Sequence, residues 1–258
     1  MSFDRLTSRL ELRATLECVT ALHVGMGIEG GGRFLPAGAL LRDVLDRPYI
    51  PGSSLRGCFR AGLEAVLRGV DPALACDPSD SSGGCNVPAA ATPCAVCGLF
   101  GCRGLASRLA VLDAPVAEPW EAWMAGARGT VPIDRDTETA VRHGRRSFET
   151  VPAGARFILE FGLENGEEEP LDHLGLLFTA LELLDQGHLT LGGHRAAGLG
   201  RVKVIWEVGQ LNTARSYLGL EPSKRLSAAE IVALSASRRE RLQRQLGALA
   251  TAAAGREA

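Results

Sequence analysis

The segment LELRATLEC, residues 10–18, sets Leu10, Leu12, Ala14, Leu16 and Cys18 on alternate positions, the period of a strand with one buried face. Outward from it, the same period returns in FILEFGL, where Phe157, Leu159, Phe161 and Leu163 alternate, and in RVKVIWEV, where Val202, Val204, Trp206 and Val208 do. Two stretches follow a helical period instead. Leu55, Cys58, Phe59, Gly62, Leu63, Val66 and Leu67 predict a helix over 54–68 with Ser53 or Ser54 as N-cap. Leu174, Leu177, Leu181 and Leu184 predict another over 171–186, stopped by Gly187. Strands and helices in this order describe a β-α-β-β-α-β unit of the ferredoxin-like kind. The expected class is therefore α+β, with a core over 10–70 and 105–208.

With 258 residues, 46% of them apolar, the chain can bury a sizeable core. No stretch approaches the roughly 18 to 20 uninterrupted apolar residues of a bilayer span, and MSFDRLTSRLELR has no apolar h-region, so the expectation is a soluble cytoplasmic protein without membrane contact. A net charge of -2 excludes a uniformly basic polyanion binder, so charge must act locally. Of the 28 cationic residues only Lys203 and Lys224 are lysine. Arginine's planar fork suits phosphate and stacks on bases, while a GC-rich genome raises arginine without functional pressure.

Four features lie outside the regular pattern. In LGGHRAAGLGRV, Gly192, Gly193, Gly198 and Gly200 interleave with His194, Arg195 and Arg201. Such a turn is either plain structure or a cradle whose amides meet phosphates, and neither a P-loop nor a dinucleotide fingerprint fits its order. IPGSSLRGCFR starts a helix at which Ser53 and Ser54, with Arg56 and Arg60 one turn apart, either cap the helix or receive an anion. Cys76, Cys85, Cys94 and Cys97 form C-x8-C-x8-C-x2-C in a segment too rich in Asp, Pro, Ser, Gly and Ala to have a core. A tetrahedral thiolate site holding a structural zinc would give it shape, with Cys102 or His143 as a substitute ligand and unligated thiols as the alternative. Finally, Arg135, Arg142, His143, Arg145 and Arg146 precede Phe148 in an irregular stretch, either a solvated hairpin or a segment that wedges against bases. The tail from Ser227 opens on a capping box with Glu230 and runs into an arginine-studded helix over 221–258.

In this order, LHVG at Leu22–Gly25, RPYIPGSSLRG at Arg47–Gly57, CAVCGLFG at Cys94–Gly101, PIDRDT, VPAGARF and the glycine turn resemble the RAMP superfamily of CRISPR-associated proteins, most of all the backbone subunit that repeats along type III effector complexes. The resemblance covers residues 12–204 and implies a single RAMP domain with an RNA-recognition-like core. It implies a cysteine-rich insertion over 71–104 and a thumb over 126–152. The guide RNA would be gripped by Ser53, Ser54, Arg56 and the glycine turn. Complementary target RNA, neighbouring copies of the chain and other type III subunits are the implied partners, and base pairing would read sequence.

At the reaction centre the chain departs from that pattern. Active members of the family cut target RNA by a metal-assisted attack that needs an aspartate six residues before the position matched by Asp43. Here that residue is Ala37, which can neither hold Mg²⁺ nor orient a 2′-hydroxyl. Asp43 and Asp46 are the substitutes within reach. A guide-holding subunit is the leading expectation and a metal-dependent endoribonuclease the alternative. Guide-precursor processing is a third, disfavoured because His23, His173 and His188 sit in contexts of structural histidines.

Overall fold

The structure is a computed structural model, and it describes residues 5–25, 38–77, 84–85, 93–166 and 171–254. The chain runs β1 (Ser8–Cys18), β2 (Tyr49–Ile50), α1 (Gly52–Val70), α2 (Ala95–Phe100), β3 (Leu109–Val111), β4 (Ala114–Pro115), β5 (Gly126–Thr130), β6 (Arg146–Thr150), β7 (Arg156–Glu164), α3 (His173–Asp185), β8 (Val202–Thr213), α4 (Ala214–Tyr217), β9 (Lys224–Ser227) and α5 (Ala228–Ala254). An antiparallel sheet has the order β3-β7-β1-β8-β9, and two further pairs, β2 with β4 and β5 with β6, stand beside it.

β1 is the central strand because it can hydrogen-bond along both edges. Its register sets Leu12 opposite Phe161 and Gly209, and Leu16 opposite Phe157 and Val204. The alternating apolar residues of β1 and β7 are buried on one face under α1 and α3, and a slip of one residue would turn all of them to water. Trp206 on β8 meets Phe161 and Phe178 edge to face at 6.3 and 5.8 Å, joining sheet to α3.

The opposite face of the sheet is charged, and most but not all of its cations are paired, Lys203 and Arg225 having no ion pair among the described residues. Arg9 pairs with Glu11 at 3.0 Å and Glu164 at 3.3 Å, Arg13 with Glu160 at 3.2 Å and Glu207 at 2.9 Å, and Arg156 with Glu17 at 2.7 Å. Each exposed pair stabilises by about 1 kcal/mol at most. Together they leave this face without a free arginine among those three.

Two expected helices have the predicted place with altered starts. α3 begins at His173 because the Asp172 carboxylate accepts from Gly175 N at 3.0 Å. α1 begins at Gly52 with Pro51 as its N-cap residue and no side-chain cap, so Ser53 and Ser54 do not cap it. Its first amide is held from outside instead: Gly52 N donates to Asp113 Oδ1 at 2.7 Å, and a Cβ on Gly52 would lie 2.3 Å from Val111 O. The expected capping box at the tail forms, with Ser227 N and Oγ both 2.8 Å from Glu230 Oε2. No helix among the described residues is long and apolar enough to cross a membrane.

α5 folds back along α3. Ile231 and Leu242 enter the core, and Arg238 Nη1 and Arg241 Nε approach Asp172 Oδ2 at 3.2 and 3.7 Å. The Asp172 side chain is 0% exposed, so its charge depends on these arginines. Asp172→Asn is therefore expected to lower unfolding stability by about 3 kcal/mol, read as a lower urea midpoint with an unchanged slope; an unshifted midpoint would show that the pair contributes nothing net.

Candidate nucleic-acid interface and metal centre

Past its first turn, α1 turns its cations toward the segment that follows it. Arg56 Nη2 donates to Phe100 O, and its guanidinium lies 5.7 Å from the Phe100 ring centre. Burial, and then the charge of Arg60, lower the Arg56 pKa. Arg60 donates from Nε to Glu64 Oε1 at 2.8 Å, from Nη1 to Gly101 O at 3.0 Å and from Nη2 to Cys97 Sγ at 3.5 Å. One turn later Arg68 reaches Ala75 O at 3.0 Å and Cys76 O at 2.6 Å. Both arginines expected to meet phosphate thus hold the cysteine segment to α1, while Ser53 and Ser54 stay exposed beside them.

The sulfurs of Cys76, Cys85, Cys94 and Cys97 all lie within 4.8 Å of one another, as the spacing anticipated. Backbone amides point at them: Cys76 N and Cys97 N donate to Cys94 Sγ at 3.4 Å each, and Cys94 N to Cys85 Sγ at 3.3 Å. A hydrogen bond from Cys97 is the largest cause that draws the Cys94 pKa down to about 4; burial is the largest that pushes Cys85 up to about 11, and the Cys97 thiol is pushed up mainly by Cys94. Four thiols converging with amide donors and the Arg60 cation fit a thiophilic metal whose ligands are thiolates. Neither Cys102 nor His143 belongs to the group.

The glycine turn is pressed onto residues 20–23. Gly192 has φ 75°, and a Cβ there would lie 2.2 Å from His23 O; Gly200 has φ 85°, and a Cβ there would lie 2.0 Å from Leu191 O. Gly193 N donates to His23 O at 2.8 Å, Gly200 N to Ala21 O at 2.9 Å and Arg201 N to Thr20 Oγ1 at 3.1 Å. These amides therefore face inward rather than toward a phosphate, because the turn closes the end of the sheet. Outward it presents side chains: His194, Arg195 and Arg201 are exposed.

Beside the turn stands the ribbon of β5 and β6, joined by residues 131–145. Asp134 Oδ1 caps its tip by accepting from Asp136 N at 3.0 Å and Thr137 N at 2.9 Å. Arg135, Arg142, His143, Arg145 and Arg146 are exposed, and none of the four arginines is in an ion pair among the described residues. Arg128 is a further exposed cation that the sequence pattern hides, since GARGT has no strand period; it stands directly across from Phe148. Phe148 is not the free wedge that its neighbours suggested. It is 6% exposed, with the His194 ring stacked on it at 3.9 Å and the His23 ring edge-on at 5.2 Å.

Ala37 and the glycines before it lie outside the described residues. The described chain resumes at Gly38, whose carbonyl accepts from Glu149 N on β6 at 2.8 Å. Asp43 is consumed by its own turn: its carboxylate accepts from Leu45 N, Arg47 N and Arg47 Nε at 2.9 Å each, and the Arg47 amide is the largest cause holding its pKa below the ordinary value. Asp46 is exposed and pairs with Arg42 at 3.3 Å.

A family model described as the RAMP superfamily matches residues 15–203. The chain is 29% identical over 213 residues to a protein of Methanothermobacter thermautotrophicus named CRISPR system Cms endoribonuclease Csm3, covering 72% of this chain and 79% of that one. It is 28% identical over 206 residues to the protein of the same name in Methanocaldococcus jannaschii, covering 75% of this chain and 79% of the relative.

Replacing Cys94 or Cys97 by Ser should bring the bound thiophilic metal, measured by elemental analysis of purified protein, from about one per chain to near zero. Undiminished metal in both variants would place it elsewhere.

Proposed function

The chain belongs to the RAMP superfamily, and on that premise we propose that it is the guide-RNA-binding backbone subunit of a type III CRISPR effector complex, positioning complementary target RNA beside neighbouring copies of itself and other subunits of the complex. The observation that carries this reading is how the arginines divide. On the open face of the sheet Arg9, Arg13 and Arg156 are paired with carboxylates, and Arg225 on β9 is a single exposed arginine there without an ion pair among the described residues. On the ribbon and the glycine turn, Arg128, Arg135, Arg142, Arg145, Arg146, Arg195 and Arg201 have no carboxylate partner among the described residues. Neutralising a phosphate releases counterions condensed on the nucleic acid, and an arginine already paired with a carboxylate must give up that pair to do so.

The RNA surface is accordingly the ribbon together with the turn, and the exposed Ser53 and Ser54 at the start of α1 remain candidate backbone contacts. The open sheet face, where an RNA-recognition domain carries its stacking aromatics, carries Arg9, Glu11, Arg13, Thr15 and Glu17 on β1 and no aromatic residue at their partner positions on β7 and β8. The strand order β3-β7-β1-β8, with α1 and α3 on one face, supports a ferredoxin-like core, and the exposed ribbon supports a thumb. Zinc fits the four cysteines; with every ligand position filled by sulfur it would stiffen the insertion rather than act on RNA. Arg60 then links that insertion to the helix that carries Ser53 and Ser54.

Arg145→Ala combined with Arg146→Ala is expected to weaken single-stranded RNA binding about 20-fold near 0.1 M salt, whatever the sequence, and to lower the slope of log K against log salt by about 1.4. Arg13→Ala on the open face should leave both unchanged. Filter binding across a salt series measures the difference; a ribbon variant that matches the unaltered protein would sink the assignment.

The relatives' printed names include endoribonuclease activity. With alanine at position 37, and with the carboxylates of Asp43 and Asp46 engaged by Arg47 and Arg42, the chain would hold target RNA and leave it whole. Labelled complementary RNA incubated with the assembled complex and Mg²⁺ should stay intact, and Ala37→Asp should produce cuts at regular intervals. Cutting by the alanine form would mean that catalysis does not depend on position 37.

A further inference from the structure

His194 is a non-glycine residue held at φ 56°, ψ 29°, in the left-handed region that side chains avoid unless neighbouring structure enforces it. What holds it is a ring. The imidazole lies flat on Phe148, 3.9 Å between centroids and 8° between planes. His23 braces the stacked pair from the side, its ring 5.2 Å from Phe148 and 5.3 Å from His194, and its Nδ1 is 2.7 Å from Glu149 O. His194 is nevertheless exposed. Because Phe148 covers its inner face, the exposure belongs to the outer face and rim. The stack therefore ends in a bare, rigid aromatic surface.

Its surroundings are suited to an anionic strand. Arg195 follows in the chain, Arg128 stands across from Phe148, and Arg146 lies two residues before Phe148 on the same face of β6. The nearby carboxylate, Glu149, alternates to the other face and is taken up by Arg42 Nη2 at 3.2 Å and Leu40 N at 3.0 Å, so it does not neutralise these cations. Resting on the RNA-binding reading above, we propose that His194 is a base-stacking platform: an unpaired nucleobase of the bound strand lies on the outer face of the imidazole while its flanking phosphates meet Arg195, Arg128 and Arg146. Every base has a π face, so the contact holds the strand in place without reading its sequence. His194 thereby contributes through its ring, and the arginines through charge.

The two contributions separate with two ligands and two variants. The ligands are a single-stranded RNA and an oligonucleotide of the same length made abasic throughout, which keeps the phosphates and lacks the bases. His194→Asn removes the ring and suits the left-handed backbone, whereas His194→Phe keeps an aromatic face. The unaltered protein and His194→Phe should bind the base-bearing RNA more tightly than the abasic strand, and His194→Asn should reduce that ratio about tenfold with an unchanged salt slope. An equal ratio in all three proteins, with RNA still bound and the slope intact, would overturn the platform and leave the RNA-binding reading standing. Failure of the unaltered protein to bind either strand at low salt would overturn both.

Discussion

The position of β1 between β7 and β8 constrains everything else in the molecule. A strand hydrogen-bonded along both edges must present its two faces to two environments, and the alternation of Leu10, Leu12, Ala14, Leu16 and Cys18 gives one of them to the core. The other face then collects Arg9, Arg13 and Glu17, which meet opposite charges on the neighbouring strands, and Glu11, which pairs with Arg9 of the same strand. Most cations of that face are thereby paired, whereas the arginines of the glycine turn and the ribbon, beyond the end of the sheet, are not. The same strand therefore sets both the packing and which of these arginines are paired.

The cysteine segment solves a different physical problem. It follows α1 with few apolar residues to bury, so side-chain packing cannot hold it. Four sulfurs converge instead, and Arg60 and Arg68 reach from α1 to a sulfur and to main-chain carbonyls of the same segment, with Glu64 between them at 2.8 and 3.4 Å. This ladder at i, i+4 spacing accounts for arginines whose placement suggested phosphate binding. Their donors are taken up by the carbonyls of Phe100 and Gly101 and the sulfur of Cys97.

Several features were legible residue by residue. The periods of FILEFGL and of Leu174–Leu184 reappear as β7 and α3, the cysteine spacing as one cluster, and Ser227 with Glu230 as a cap. Others were not, and for one reason: each depends on a partner remote in the chain. Ser53 and Ser54 do not cap α1, since Asp113 takes its first amide. Phe148 is buried rather than free, since His23 and His194 close over it. Gly193 and Gly200 donate to the carbonyls of His23 and Ala21, just beyond the first strand, so the amides that suggested a phosphate cradle are already used.

By itself, the sequence determined the α+β class, the existence and order of the main strands and helices, the four-sulfur group and the family, because each rests on short-range periodicity or on motifs whose residues are near neighbours. Only the tertiary structure decided which arginines are free. Arg13 and Glu207, which bond across β1 and β8 at 2.9 Å, are separated by 194 positions, and no local pattern distinguishes Arg13 from Arg146. Pairing in space withdraws one set of cations from use and leaves the ribbon and turn arginines exposed, the set on which the proposed nucleic-acid surface rests.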